Sequence, residues 1–462
     1  MAMRGAFHGR TSRPASLSDG LVKLAGMCAL GLMLTGCSTI DGWFTSAPAA
    51  KLPGKRISVM ALDQSLQADP DLQSDTIYLP DPVANTDWPQ PGGSPSNAMY
   101  NLASSNGFEK AWSSDAGAGS SGAAQLTASP VLAAGRIYVL DAESTLRAFD
   151  AATGEHVWSQ DLVPEDDDPA AGRGGGVAFD NGRLFIATGF GVVYAVNPSD
   201  GSIIWKQNVG DPFRSSPTAI GGRVFAVTAD NQTIALSQDK GDIIWRQQGI
   251  SETAGILAAT SPAVEDTTVV APYSSGEIYA LRVENGNANW NDSLTRTGNM
   301  SSLTELNDIA GRPVIDQGKV YAVSHSGRMV AIDLRTGERI WTREIGGVQT
   351  PWIAGDYIFL VTLDSELVAL QRSDGRVRWI VQLQKFEDPE DITSRRIQWS
   401  GPVLAGGQLV LVSSSGQMIA ASPQDGKTTK SVDLPEGSLI PPIVANGSIY
   451  VLTNDADLIS YK

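Results

Sequence analysis

From residue 129 onward the apolar positions fall in short runs, each cut off by Gly, Asn, Asp or Ser. "SPVLAAGRIYVL" (129–140) returns as "SPTAIGGRVFAV" (216–227), "RPVIDQGKVYAV" (312–323), "GPVLAGGQLVLV" (401–412) and "PPIVANGSIYVL" (441–452), with weaker versions at 177–188, 262–273 and 351–361. Pro130, Pro217, Pro313, Pro402 and Pro442 each stand five residues before a Gly. A second phrase follows each run: "AFDAATGEHVW" ends at Trp158, "AIDLRTGERIW" at Trp341, and "AASPQDGKTTK" puts Lys430 in the Trp position. One unit therefore reads as four strands: "SPVLA", "RIYVLD", "TLRAFD" and "EHVW". The turns between them fall at Gly135, at Ala142 to Ser144 and at Thr153-Gly154. Short β-rich runs bounded by turn residues signal antiparallel hairpins, and Gly supplies the positive φ of a tight turn. No part of the repeats sustains a helical period, so helices are expected to be scarce.

Counting the units predicts the architecture. The outer-strand position is occupied by Trp112, Trp158, Trp205, Trp245, Trp290, Trp341, Trp379 and Lys430, eight places with a mean spacing of about 45 residues. Units of that length suit the blades of an all-β, eight-bladed propeller of four-stranded antiparallel blades over residues 106–462. "DLISYK" (457–462) aligns with "TLRAFD" (145–150), and "FEKAW" (108–112) is an outer strand without a blade. The last three strands and this early one are thus predicted to share the eighth blade, which removes exposed sheet edges. In this reading the Gly of each phrase makes a turn, the Ala lets sheets approach, and the Trp wedges between blades.

The N-terminal part has a different character. Arg4, Arg10, Arg13 and Lys23 precede the apolar stretch "LAGMCALGLMLTG" (24–36), which is too short to span a bilayer. Residues 1–36 therefore read as a signal peptide. The stretch ends in "LTGC", which resembles a bacterial lipobox, and that resemblance implies acylation of Cys37 and, with Ser38 next, the outer membrane. Removing residues 1–36 also removes Cys28, so no intrachain disulfide is expected in the mature chain. Residues 37–105 carry eight prolines and no apolar period, and are expected to form an extended periplasmic tether. Trp43, Phe44, Ile77, Tyr78 and Trp88 would draw it along the folded body. The formal charge is −16, which argues against nucleic acid as a partner.

The phrase A-[LIVF]-x-x-x-x-G-x-x-x-W is similar to the tryptophan-docking motif of quinoprotein dehydrogenases and their non-catalytic PQQ-like repeat relatives. Together with the lipobox, "DWPQPGG" (87–93), "NDIAGRPVI" (307–315) and the eightfold count, the chain resembles the BamB family of outer-membrane lipoproteins. The resemblance implies a scaffold of the β-barrel assembly machinery that binds the periplasmic domains of BamA and other machinery subunits. It leaves nascent outer-membrane proteins as a further candidate partner. Family contact with BamA is attributed to two neighbouring loops. Here these are "AGILAATSP" (254–262), where Ile256 matches and Leu257 replaces an Arg, and "LTELNDIAGRP" (303–313). In the second, Leu306 and Asp308 match while Ala310 replaces an acid. Ile256, Leu257, Leu306 and Asp308 are thus the candidate contact residues.

The rival reading is a PQQ-dependent dehydrogenase or another ligand-binding periplasmic propeller. The resemblance to such enzymes implies a vicinal disulfide, for which the mature chain lacks the cysteines. Calcium needs six to eight oxygens, and the one compact acidic run, "PEDDDP" (164–169), reads as a solvated loop beside "AGRGGG" (171–176). His156 sits in an outer strand and His325 in a turn, neither with a second His or Cys near in sequence. No catalytic residue, cofactor or metal is expected.

Overall fold

The computed structural model describes residues 66–105, 107–252, 255–256, 260–295 and 306–462; Cys37, Leu257, Trp43 and Phe44 lie outside them. Among the described residues, thirty-two strands form eight four-stranded antiparallel sheets. Blade 1 consists of Val131–Ala133, Arg136–Leu140, Thr145–Asp150 and His156–Asp161. Its strands match the four predicted segments to within three residues at every end. The innermost strand starts after Pro130, which has no N–H to donate, and the outermost runs three residues past Trp158. The only helices among the described residues are two 3-10 turns, Pro70–Leu72 and Pro169–Ala171.

Blades 2 to 7 repeat this order over 175–208, 218–248, 263–293, 314–343, 352–382 and 399–433. Blade 8 joins Ile443–Ala445, Ser448–Leu452 and Asp457–Tyr461 to the early strand Lys110–Asp115. Trp112 faces Ser460 and Asp115 faces Asp457 in that pairing. The ring is thus closed by hydrogen bonds between the two ends of the propeller sequence.

The repeated phrase does three jobs at once. Across the outer hairpins of blades 1 to 6 the Ala stands opposite the Trp, as in Ala148 with Trp158 and Ala331 with Trp341, and the register then shifts by a bulge. The methyl leaves room for the indole on that face. Apart from Trp290, whose blade has Val270 at that place, each Trp leans toward its own blade's aromatic, Trp158 on Tyr138 at 5.9 Å and Trp341 on Tyr321 at 6.2 Å. It then reaches the next blade. Trp290 donates its indole N–H to the Leu334 carbonyl at 2.7 Å, and Trp341 to that of Arg372 at 3.0 Å. The Gly of the next phrase lies beneath the ring: a Cβ on Gly337 would stand 2.6 Å from Trp290 Cγ. So Gly is required twice over, for its φ of +76° and for the space its missing side chain leaves. At the seventh interface Lys430 lies 5.1 Å above the Phe108 ring and donates to the Gly107 carbonyl, a cation–π contact where the other blades use Trp.

Residues 66–105 lie against the propeller. Ile77 is 2% exposed and Trp88 3%, whereas Tyr78 remains 79% exposed. The stretch from Asn85 to Ser105 touches all eight blades in order around the ring. Asn85 accepts from Asn446 N–H, Trp88 exchanges backbone hydrogen bonds with Leu132, and Pro89 accepts from Phe179. Gln90 bridges Phe179 and Ala219, Pro95 accepts from Val264, and Ser96 from Ile315. The Tyr100 carbonyl accepts from Trp352, Leu102 donates to Leu404, and Ser105 donates to Gly447 of blade 8 again. This circuit crosses the ends of the innermost strands and closes one mouth of the channel.

Candidate functional site

The loops that precede the innermost strands gather at the opposite mouth. Their organising group is Asp308, between blades 4 and 5. It is fully buried and accepts from Arg214 Nη2 at 2.6 Å and from the Ile256 N–H at 2.7 Å. Its backbone carbonyl accepts from the His325 N–H at 2.8 Å, and His325 Nδ1 lies 3.3 Å from the Leu306 carbonyl oxygen. One carboxylate thus ties together the loops before blades 3, 4 and 5. Arg214 is itself 6% exposed, so the two charges neutralise each other out of water. Because Asp308 points inward, its carboxylate serves as a brace for the loops, and any contact with a partner must come from its neighbours.

Those neighbours are apolar. Leu306 is 36% exposed and Ile256 half-buried. Both border a groove of about 390 Å³ that also takes in Val348, Leu363, Ile397 and Trp399, with His325 and Arg396 at its edge. On the other side of Ile256 a recess of about 320 Å³ carries Asp230 and Glu252. The surface around Ile256 therefore has an apolar centre and a charged flank, the arrangement of a protein-docking patch. Of the four residues expected from sequence, three come together here, and Leu257 lies outside the described residues. Arg214 was invisible to sequence reading because it lies 94 residues from its partner, in a different inter-blade loop. His156, on the outer strand, contacts Ser159 Oγ at 2.7 Å and is remote from this cluster in the ring. Among the described residues no group of three or more His, Cys, Asp or Glu could hold a metal ion.

The model of a family described as "Outer membrane protein assembly factor BamB" matches residues 92–169, 142–381 and 385–462. The chain belongs to the BamB family. BamB of Salmonella typhimurium (strain LT2) is 32% identical over 331 residues, covering 71% of this chain and 82% of the relative. BamB of Escherichia coli (strain K12) is 32% identical over 356 residues, 76% of this chain and 88% of the relative. Among solved structures, BamB from Moraxella catarrhalis superposes with a TM-score of 0.63 at 18% identity, covering 77% of this chain and 99% of that one. The quinohemoprotein alcohol dehydrogenase of Comamonas testosteroni superposes with a TM-score of 0.62 at 14% identity, covering 87% and 83%. At that identity the likeness to the dehydrogenase is one of fold. BamB membership rests on the sequence matches, which span most of the propeller.

Proposed function

We propose that this BamB-family chain is a non-catalytic scaffold in outer-membrane protein assembly. In this reading it is anchored to the periplasmic face of the outer membrane by lipid on Cys37 and docks the periplasmic domains of BamA through the Ile256–Leu306 surface. The observation that carries the docking surface is the Asp308 brace, which presents Ile256 and Leu306 at the rim of one apolar groove. Burying such a centre supplies most of the energy of a protein interface, with charged neighbours setting orientation. Nascent barrel strands are a further candidate partner. The outermost strands expose Val157, Ile203, Ile204, Ile244 and Ile340, each about two-fifths accessible, beside an unpaired edge to which an extended chain could add.

Ile256→Asp combined with Leu306→Asp tests the docking surface. Recovery of BamA with the lipidated protein from envelope membranes should fall at least tenfold, while the thermal melt stays near that of the parent because neither side chain is in the core. Undiminished recovery would move the docking surface elsewhere.

A further inference from the structure

With one mouth crossed by residues 85–105, the central channel is a blind cup that opens among the docking loops. Its cavity measures about 390 Å³, and its wall is rich in neutral hydrogen-bonding groups: Gln125, Thr127, Gln349, Thr350 and Gln398. Arg312 lies in this wall and also borders a space of about 30 Å³ beneath, against Trp88, Pro91, Gly92 and Asn97 of the closing segment. It therefore marks the floor of the cup.

Arg312 is unusual among the chain's buried arginines. Arg214 is paired with Asp308 and Arg372 with Asp316. Arg312 is only 5% exposed, yet its one side-chain partner is Ser129 Oγ, 2.7 Å from Nη2. Nε is buried without any partner. Among the described residues no carboxylate lines either cavity. Burial pulls the guanidinium down to about 10, still well above neutrality, so the cation persists. A buried cation without a counter-charge is costly, and an acidic chain has many carboxylates that could have been set beside it. The cavity beside it suits a ligand: its volume falls within the range of small-molecule pockets, and the guanidinium fork matches an oxyanion edge.

We propose that the cup binds a small organic anion bearing a carboxylate or phosphate group, with Arg312 as the charge anchor at its floor. The amides and hydroxyls of Gln125, Thr127, Gln349 and Thr350 supply further donors along the wall. Ile256 borders both this cup and the apolar groove, so an occupant would lie directly behind the docking surface.

The test uses the full-length protein and two probes, citrate and inorganic phosphate, by titration calorimetry at constant ionic strength with sodium chloride as the control. The expected result is saturable one-to-one binding of at least one probe, weakened at least tenfold by Arg312→Gln; the probe that binds tells carboxylate from phosphate. Gln349→Glu, which sets an internal carboxylate into the same wall, should abolish binding and raise the melting temperature. It keeps the test decisive if Arg312→Gln fails to fold. Absence of saturable binding by both probes, or binding undiminished in the folded variants, overturns the proposal.

Discussion

The interlock between neighbouring blades can be tested at a single methyl group. Gly337 and Gly318 both belong to blade 5 and have nearly the same backbone, with φ of +76° and +70°. A Cβ on Gly318 meets nothing within 4 Å, whereas one on Gly337 falls 2.6 Å from Trp290 Cγ and 2.7 Å from its Cβ. Neither partner can yield easily. The Trp290 indole is held by its bond to the Leu334 carbonyl, and the turn is held by Asp333, whose Oδ1 accepts from Thr336 N–H at 2.8 Å and Thr336 Oγ1 at 3.0 Å. Ala at Gly318 should therefore cost only the left-handed backbone penalty, about 1–2 kcal/mol. Ala at Gly337 adds an overpacking cost of about 1–3 kcal/mol, for a total of about 2–5 kcal/mol. Urea unfolding followed by tryptophan fluorescence compares the two variants directly. Adding Trp290→Leu to Gly337→Ala should recover part of the loss, with a coupling of about 0.5–3 kcal/mol. If the two alanine variants unfold at the same urea concentration, the Trp is not seated on the glycine and the account of the repeated phrase fails.

Two further outcomes follow from other contacts. Trp341→Ala removes a ring that is 7% exposed and its bond to Arg372, and should destabilise by about 3–5 kcal/mol in the same assay; a loss under about 1 kcal/mol would argue against the wedge. Asp308→Asn strands the Arg214 cation in the interior, at a cost of about 3–5 kcal/mol, and should speed hydrogen exchange at the Ile256 amide; unchanged exchange there would show that the loops do not depend on this brace.

The loop cluster around Asp308 was half legible in the chain. "NDIAGRPVI" and "AGILAATSP" named two loops that the fold brings together through the bond from the Ile256 N–H to the Asp308 carboxylate. Which way Asp308 faces was not legible: an aspartate in a loop reads equally as a surface charge or a turn residue until Arg214 is brought beside it. Arg312 stood in plain view within "GRPVI" and carried no signal at all, since nothing in its neighbours says that no acid among the described residues lines the channel beside it.

The strands, their turns and the number of blades were determined by the sequence alone, because each depends on contacts made within one hairpin or its copy about 45 residues away. Alternation sets which face is buried, glycine sets the turn, and repetition sets the count. Closure could also be read, from an outer strand left over at one end and missing at the other. The circuit of residues 85–105, the Arg214–Asp308 pair and the unpaired Arg312 were decided only by the closed ring. Each joins positions from different blades at the central channel, and such non-repeating contacts leave no period in the chain.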